Sequence, residues 1–170
     1  MQREGVALND GDVVVVAHKV VSKGEDRTVR LREVKPSEKA EEISKVASRD
    51  PRLIELILRE TRNLVKVSPE IIIVENKQGL VCINAGLDKS NVEGEDAYVL
   101  LPTDPDESAK RICSEITELT GRKVSVIISD TYSRPFRRGQ VEFAIGVACL
   151  NPFRDYRGQK DLFGYVLRVK

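Results

Sequence analysis

The sequence predicts a mixed α/β fold of the α+β kind, with a partly antiparallel sheet and three main helices. Short apolar runs typical of strands are mixed with helical patterns, without the strict strand–helix–strand alternation of a parallel sheet. Two of these runs, 70–76 and 80–84, are separated only by Lys-Gln-Gly (77–79), which is typical of an antiparallel hairpin. Three other segments begin with helix start signals and continue with apolar residues at helical spacing.

The strands are predicted from apolar, β-branched runs. Val13–Ala17 is a continuous run of this kind, and we expect a strand buried on both faces. The run 123–129 is expected to be a central strand that delivers Asp130 at its carboxyl end. The remaining predicted strands are the two hairpin runs, 98–102, 141–150 and 162–169, with a polar loop at 151–161.

Each predicted helix has a recognisable start. The first begins at Pro36, and the second has Asp50 as its N-cap and Pro51 at its first position. The third begins at Asp104-Pro105 and ends at Gly121. The apolar residues that share a face are Ala40, Ile43 and Ala47 in the first helix, Leu53, Ile54, Ile57 and Leu58 in the second, and Ala109, Ile112, Cys113, Ile116 and Leu119 in the third.

Length and composition indicate an ordinary globular chain. Its 170 residues suit one domain or two small lobes, with 41% hydrophobic and 32% charged residues, and we expect a single domain over residues 1–170. A net charge of +1 argues against nucleic acid as a partner. No apolar stretch approaches the roughly 20 residues of a membrane span, and the amino terminus lacks a signal-peptide core. We therefore expect a cytoplasmic protein without a membrane partner.

The three cysteines, Cys82, Cys113 and Cys149, lie far apart in the sequence. Their odd number argues against a disulfide framework, and their spacing argues against a structural zinc site. Each lies in an apolar run, so we expect all three to be buried as small hydrophobic side chains in a reducing compartment.

The segment 129–140, Ser-Asp-Thr-Tyr-Ser-Arg-Pro-Phe-Arg-Arg-Gly-Gln, is the strongest candidate for chemistry. Asp130 and Thr131 offer hard oxygen ligands at a strand end, where ligands of open α/β sheets collect. The guanidinium groups that could neutralise phosphate are those of Arg134, Arg137 and Arg138. A site for a metal-bound polyphosphate requires these groups; the alternative is an aspartate that caps a turn beside a solvated arginine face.

Other candidates precede this segment. Asp88, in the loop 85–97, is either a second carboxylate ligand or an Asx-turn residue. Lys19 and Lys23 follow the first strand and either reach a phosphate or lie on the surface. His18, the only histidine, has no neighbouring histidine or cysteine, so a structural role or a place at the edge of the cleft is favoured over metal binding. The sequence has no P-loop motif.

Four segments, together with the helix start at 36–44, resemble in order the blocks of the coenzyme F420-0:glutamate ligase family. They are Gly-Asp-Val-Val-Val-Val-Ala-His-Lys-Val-Val-Ser-Lys-Gly-Glu-Asp-Arg (11–27), Cys-Ile-Asn-Ala-Gly-Leu-Asp-Lys-Ser-Asn-Val-Glu (82–93), Ile-Ser-Asp-Thr-Tyr-Ser-Arg-Pro-Phe-Arg-Arg-Gly-Gln (128–140) and Gly-Gln-Lys-Asp-Leu-Phe-Gly-Tyr-Val-Leu (158–167). The resemblance implies the fold of that family. It also implies a GTP-dependent ligase that forms an amide bond between L-glutamate and coenzyme F420-0 through an acyl phosphate, and that extends a γ-linked glutamate tail.

The resemblance also implies roles for individual residues. Metal ligands carry over to Asp88, Asp130 and Thr131, with Mg²⁺ or Mn²⁺ as the metal and K⁺ as a further candidate cation. Nucleotide contacts carry over to Lys23 and Asn91, and also to His18 and Lys19. No catalytic residue is assigned, and the arginines either contact phosphate or the acceptor or anchor their loop.

The sequence also departs from the family pattern. A serine, Ser133, stands where a glycine is usual, and Gly24-Glu25-Asp26 replaces Ala-Glu-Gly. The family chain is longer at both ends, and its carboxyl-terminal portion is absent here. The alternative to a ligase is therefore a truncated homologue that binds metal–nucleotide or a partner chain without turnover. Members of the family pair as homodimers, and the same is expected here.

Overall fold

Four α-helices and eight strands are present in the computed structural model, which describes residues 7–69, 71–132 and 138–168. The helices are α1 (His18–Gly24), α2 (Glu38–Ala47), α3 (Pro51–Arg59) and α4 (Pro105–Thr120). The strands are β1 (Val13–Ala17), β2 (Thr28–Arg30), β3 (Thr61–Ser68), β4 (Ile71–Asn76), β5 (Val81–Ile83), β6 (Ala97–Val99), β7 (Ser125–Thr131) and β8 (Glu142–Ala148). The fold is the predicted mixture of helices and partly antiparallel sheet.

The sheet that positions the site has the strand order β1-β7-β8. β1 and β7 are parallel, with Val13 opposite Ser125, whereas β7 and β8 are antiparallel. β7 is the central strand, as predicted. Helix α4 packs on one face of this sheet, where Val126 and Ile128 are fully buried. Gly146 on β8 permits the close approach of α4, because a Cβ atom there would lie 2.3 Å from the carbonyl oxygen of Pro105.

The prediction that β1 is buried on both faces is wrong. Val14 and Val16 pack against the core under α4, but the side chains of Val13 and Val15 are 48% and 62% exposed. The run is apolar on both faces, and among the described residues only one of those faces is covered. A continuous apolar run therefore did not distinguish a strand covered on one face from a strand covered on both.

A second sheet, with strand order β3-β4-β5, packs against α2 and α3. Its β4–β5 pair is the predicted hairpin, with Val74 opposite Cys82 and Gly79 in the left-handed conformation at the turn. Strand β3 was not predicted, because its residues 61–68 are largely polar and exposed. Strands β2 and β6 form a third, two-stranded ladder.

The three predicted helices are confirmed as α2, α3 and α4. The carboxylate of Asp50 caps α3, and that of Asp104 caps α4 by accepting a hydrogen bond of 2.9 Å from the backbone N–H of Glu107. α2 begins slightly later than expected, after the N-cap Ser37. α1 was not predicted, because its short, valine-containing segment looks like a continuation of β1.

The predicted strand at 162–169 is not present in its described part. Lys160 and Val166 form only an isolated bridge, within a small turn that Asp161 caps by accepting hydrogen bonds from the backbone N–H groups of Phe163 and Tyr165. The side chains of Leu162 and Phe163 are 97% and 96% exposed. Apolar character in this segment therefore does not correspond to burial.

The prediction that all three cysteines are buried and reduced is wrong. Cys113 on α4 and Cys149 just after β8 form a disulfide bond, and Cys82 is free and half-buried. Cys113 is buried, but Cys149 is exposed. An odd cysteine count could not exclude one bond between two cysteines that lie 36 residues apart. None of the helices in the described ranges is long and apolar enough to cross a membrane.

Candidate metal and nucleotide site

A cleft of about 830 Å³ opens where β1 and β7 end and the loop after β5 begins. β1 runs directly into α1, so the first residue of that helix, His18, lies at the floor of the cleft beside the end of β7. The residues that line the cleft are Ala17, His18, Lys19, Cys82, Ile83, Asn84, Gly86, Leu87, Asp88, Ser90, Ser129, Asp130, Thr131, Gln140 and Glu142. Ligands of open α/β sheets are expected at this edge.

Asp130 and His18 face each other in the cleft. The Nε2 atom of His18 lies 3.4 Å from Oδ1 of Asp130, and the histidine side chain is only 3% exposed. The same Oδ1 atom accepts a hydrogen bond of 2.7 Å from the backbone N–H of Thr131. Nδ1 of His18 is buried and has no hydrogen-bond partner in the described part of the protein.

Burial controls the protonation of this pair. Burial raises the pKa of Asp130 above the ordinary carboxyl value, although the neighbouring His18 acts in the opposite direction. Burial likewise lowers the pKa of His18, against the attraction of Asp130 and Asp88. Both shifts disfavour the charged forms of these two side chains, and a bound cation would favour the ionised form of Asp130.

Asp88 is held in an Asx turn and in an ion pair at the same time. Its Oδ1 accepts a hydrogen bond of 2.7 Å from the backbone N–H of Ser90, and its Oδ2 lies 2.6 Å from Nζ of Lys19. Burial opposes ionisation, but the bonds from Lys19 and Ser90 lower the pKa of Asp88. Asp88 therefore forms the predicted Asx turn and also lines the cleft, and its role as a metal ligand stays a prediction.

Helix α1 joins the loop 85–97 through its lysines. Nζ of Lys19 donates to Oγ of Ser90 at 2.6 Å, and Nζ of Lys23 donates to the backbone carbonyl of Asn91. Asn91 has a left-handed backbone, with φ of 57°. Four of the predicted nucleotide or metal residues are thus brought into one connected corner, although they lie on segments distant in sequence.

Of the three arginines predicted beside the site, only Arg138 lies within the described residues. Arg134 and Arg137 lie outside the described residues. Arg138 is exposed on the segment that leads into β8. Two residues later, Gln140 lines the cleft.

Sequence reasoning missed several cleft residues. Glu142 begins β8 directly opposite Thr131, and its Oε1 accepts a hydrogen bond of 2.5 Å from the threonine hydroxyl. Cys82 also lines the cleft, and burial, with the charge of Asp130, raises its pKa to about 11. The signal for Glu142 was available: residues 141–150 were predicted to form a strand after the Asp130 strand, and antiparallel pairing would place its first residues beside that strand's end.

The donor set fits a divalent cation of the Mg²⁺ or Mn²⁺ type. Asp88, Asp130 and Thr131 provide two carboxylates and a hydroxyl, which are hard oxygen ligands. Within residues 7–69, 71–132 and 138–168, no cluster of three or more carboxylate, histidine or cysteine side chains forms a complete metal site. This arrangement suits a cation that arrives with a nucleotide and takes its remaining ligands from phosphate and water.

Comparison with known proteins identifies the family. The model of the F420-0:Gamma-glutamyl ligase family matches residues 1–170. The chain belongs to the F420-0:gamma-glutamyl ligase family. It is 46% identical to the coenzyme F420:L-glutamate ligase of Methanothermobacter thermautotrophicus over 165 residues, which are 97% of this chain and 65% of that protein.

Further relatives in this ligase family have similar coverage. The coenzyme F420:L-glutamate ligase of Methanopyrus kandleri is 44% identical over 98% of this chain and 66% of its own length. That of Archaeoglobus fulgidus is 45% identical over 96% of this chain and 65% of its own length. The chain therefore spans about two thirds of the length of these relatives. The family resemblance expected from the sequence blocks is confirmed, and the mixed fold agrees with it.

Proposed function

We propose that this chain carries the metal and nucleotide site of a ligase that joins L-glutamate to coenzyme F420-0. The observation that supports the proposal is the convergence of Asp88, Asp130 and Thr131 in one cleft, beside Lys19. The proposed substrates follow from the name of the relatives, coenzyme F420:L-glutamate ligase. The absence of a P-loop is consistent with a phosphate site built from separate segments.

The proposed reaction has two steps with GTP as the co-substrate. A carboxylate oxygen of the acceptor attacks the γ-phosphorus of GTP, the bond to the β–γ bridging oxygen breaks, and GDP leaves, giving an acyl phosphate. The amino group of L-glutamate then attacks the acyl carbon, inorganic phosphate leaves, and the amine loses a proton as the amide forms. Phosphoryl transfer of this kind depends chiefly on positioning and on stabilising charge.

The oxygen ligands Asp88, Asp130 and Thr131 would hold Mg²⁺ or Mn²⁺ in this cleft; K⁺ is a further candidate cation. When bound, the divalent ion neutralises the charge that develops on the phosphates. The Nζ atom of Lys19 lies 2.6 Å from Oδ2 of Asp88. A metal ion bound to Asp88 would replace this counter-ion, and Lys19 would then be able to contact a phosphate.

In the proposal, the remaining predicted contacts bind the nucleotide beside α1, next to the cleft. Lys23 and Asn91 are already joined there by a hydrogen bond from Nζ to the backbone carbonyl. The Nε2 atom of the buried His18 lies 3.4 Å from Oδ1 of Asp130, so in the proposal His18 orients that carboxylate. In the proposal, the guanidinium groups of Arg134, Arg137 and Arg138 either contact phosphate or the acceptor or anchor their loop.

The second candidate function is binding of metal and nucleotide without turnover. The observation that favours it is coverage, because the chain spans only 65% of the Methanothermobacter relative. The two candidates make the same prediction for GTP binding and different predictions for amide formation. Mass spectrometry of F420-0 incubated with the chain, GTP, Mn²⁺ and L-glutamate separates them.

Calorimetric titration of GTP, with and without Mn²⁺, tests the shared site. We expect binding that requires Mn²⁺ and that weakens at least about tenfold in Asp130→Ala, because the variant lacks a carboxylate ligand. Asp155→Ala is the matched control, since Asp155 lies in the exposed loop 151–161 and pairs with Arg157. Equal GTP binding in the wild type and in Asp130→Ala would contradict the assigned site.

A further inference from the structure

The start of β8 places a carboxylate against one of the proposed metal ligands. Thr131 and Glu142 are directly opposite each other in the antiparallel β7–β8 pair. The hydroxyl of Thr131 donates its proton to Oε1 of Glu142 at 2.5 Å, and both side chains line the cleft. Among the described residues, no other side-chain hydrogen bond is made by that hydroxyl.

The direction of this hydrogen bond determines what the hydroxyl can offer to a cation. An ionised carboxylate only accepts hydrogen bonds, so the Thr131 proton must point toward Glu142. The lone pairs of the hydroxyl oxygen are then left for another partner. A threonine that ligates a metal must present a lone pair and keep its proton away from the ion.

We propose that Glu142 is a positioning residue that orients the Thr131 hydroxyl for the cation. The inference rests on the proposed function, because it requires Thr131 to be a metal ligand. Glu142 acts through Thr131 in the way that outer carboxylates orient the ligands of other metal sites.

Two other roles for Glu142 make different predictions. If Glu142 bound the ion directly, its effect on metal affinity would persist without the Thr131 hydroxyl. If Glu142 acted only through its negative charge, Glu142→Gln would weaken Mn²⁺ binding as much as Glu142→Ala. A positioning role requires only an acceptor oxygen at Oε1, which glutamine retains.

The experiment measures Mn²⁺ affinity without nucleotide, by electron paramagnetic resonance of free Mn²⁺, and then repeats the titration with GDP. We expect Glu142→Ala to weaken Mn²⁺ binding about tenfold. Glu142→Gln should remain within about twofold of the wild type, because its amide oxygen accepts the same hydrogen bond. Glu118→Ala, an exposed position on α4, removes one negative charge as a matched control.

A double-mutant cycle with Thr131→Val decides between positioning and direct ligation. In the Thr131→Val background, Glu142→Ala should cause no further loss of Mn²⁺ affinity. An equal loss in both backgrounds would overturn the inference, as would equal effects of Gln and Ala or no effect of either. Circular dichroism melting of each variant separates loss of the fold from loss of the site.

Failure of the proposed function is recognised separately. If the wild-type chain binds no Mn²⁺ with or without GDP, the metal site itself is wrong and the inference falls with it. If the wild type binds Mn²⁺ and the Glu142 variants bind it equally well, the metal site stands and only the positioning role of Glu142 is rejected.

Discussion

At the scale of single residues, Asp130 is a carboxyl group whose ionised form is disfavoured by the fold. Burial raises its pKa, and the nearest cationic candidate, His18, is itself pushed toward the neutral form by burial. The side chain of Asp130 is 21% exposed, so water screens it only in part. Burial of such a carboxylate opposes its ionisation and thereby lowers the stability of the protein at neutral pH.

Replacing Asp130 by asparagine should therefore stabilise the metal-free protein. The variant keeps an oxygen for the backbone N–H of Thr131 and removes the charge, so we expect a higher free energy of unfolding than in the wild type at neutral pH. A raised folded-state pKa means that stability is lost as the pH rises above the ordinary carboxyl value. The gain should accordingly vanish as the pH falls toward that value, where wild-type Asp130 is also protonated.

Urea unfolding at several pH values without metal measures this effect. Asp155→Asn is the control, because the exposed Asp155 has its pKa lowered by Arg157 and its replacement should not increase stability. A destabilised Asp130→Asn at neutral pH would show that the charge of Asp130 is satisfied in the empty cleft.

At the scale of elements, the packing of α4 on β8 depends on one glycine. A Cβ atom at Gly146 would lie 2.3 Å from the carbonyl oxygen of Pro105, which is a backbone atom at the start of α4. Gly146→Ala should therefore push the helix from the sheet and destabilise the protein by about 1–3 kcal/mol. Gly24→Ala, at the end of α1, is the control, because a Cβ there meets nothing within 4 Å. Chemical denaturation measures the free energy of unfolding of both variants. Equal values for Gly146→Ala and Gly24→Ala would show that α4 does not pack this closely on β8.

The disulfide joins the middle of α4 to the residue that follows β8. Cys113 and Cys149 close a loop of 36 residues, and a bond of this kind typically stabilises by about 2–4 kcal/mol. We expect a reducing agent to lower the Tm of the wild type and of Cys82→Ser, and to leave the Tm of Cys149→Gly unchanged. Glycine suits this position because Cys149 has a left-handed φ of 59°.

Mass spectrometry of peptides prepared without reduction identifies the bond directly. Free Cys113 and Cys149 thiols in the native protein would contradict the disulfide. Cys82, by contrast, should be alkylated slowly in the native protein near neutral pH, because its pKa is about 11 and the thiolate is the reactive form.

At the scale of the whole molecule, the sequence predicted the elements better than their relations. Capped helices such as α3 and α4 were predictable because Asp50 and Asp104 satisfy helix N-termini through local contacts. β3 was missed because an edge strand with polar, exposed residues has no alternating pattern, and α1 because valines favour strands. The local sequence pattern therefore cannot distinguish a polar edge strand from a loop, or a short valine-containing helix from a strand.

The candidate site shows the same division between local and long-range information. The residue types of Asp88, Asp130 and Thr131 predicted hard ligands, but their meeting depends on how the β1-β7-β8 sheet lies beside the loop after β5. The predicted strand 141–150 pointed to the end of the Asp130 strand, but the exact register that sets Glu142 opposite Thr131 is not specified by a single sequence. The disulfide was missed because it is a tertiary contact between a helix and a strand end, which sequence spacing does not reveal.

The parallel pairing of β1 with β7 has a consequence for biosynthesis. Val13 pairs with Ser125, so β1 is synthesised long before β7, the strand with which it pairs. Pairings this distant in sequence are slow, because a long loop must close before they form. His18 follows β1 and Asp130 ends β7, so the two halves of the cleft meet only at this step. A nascent chain that ends before β7 contains Lys19 and Lys23 but lacks the Asp130 side of the cleft. A ligand that needs both sides of the cleft could therefore not stabilise such a chain.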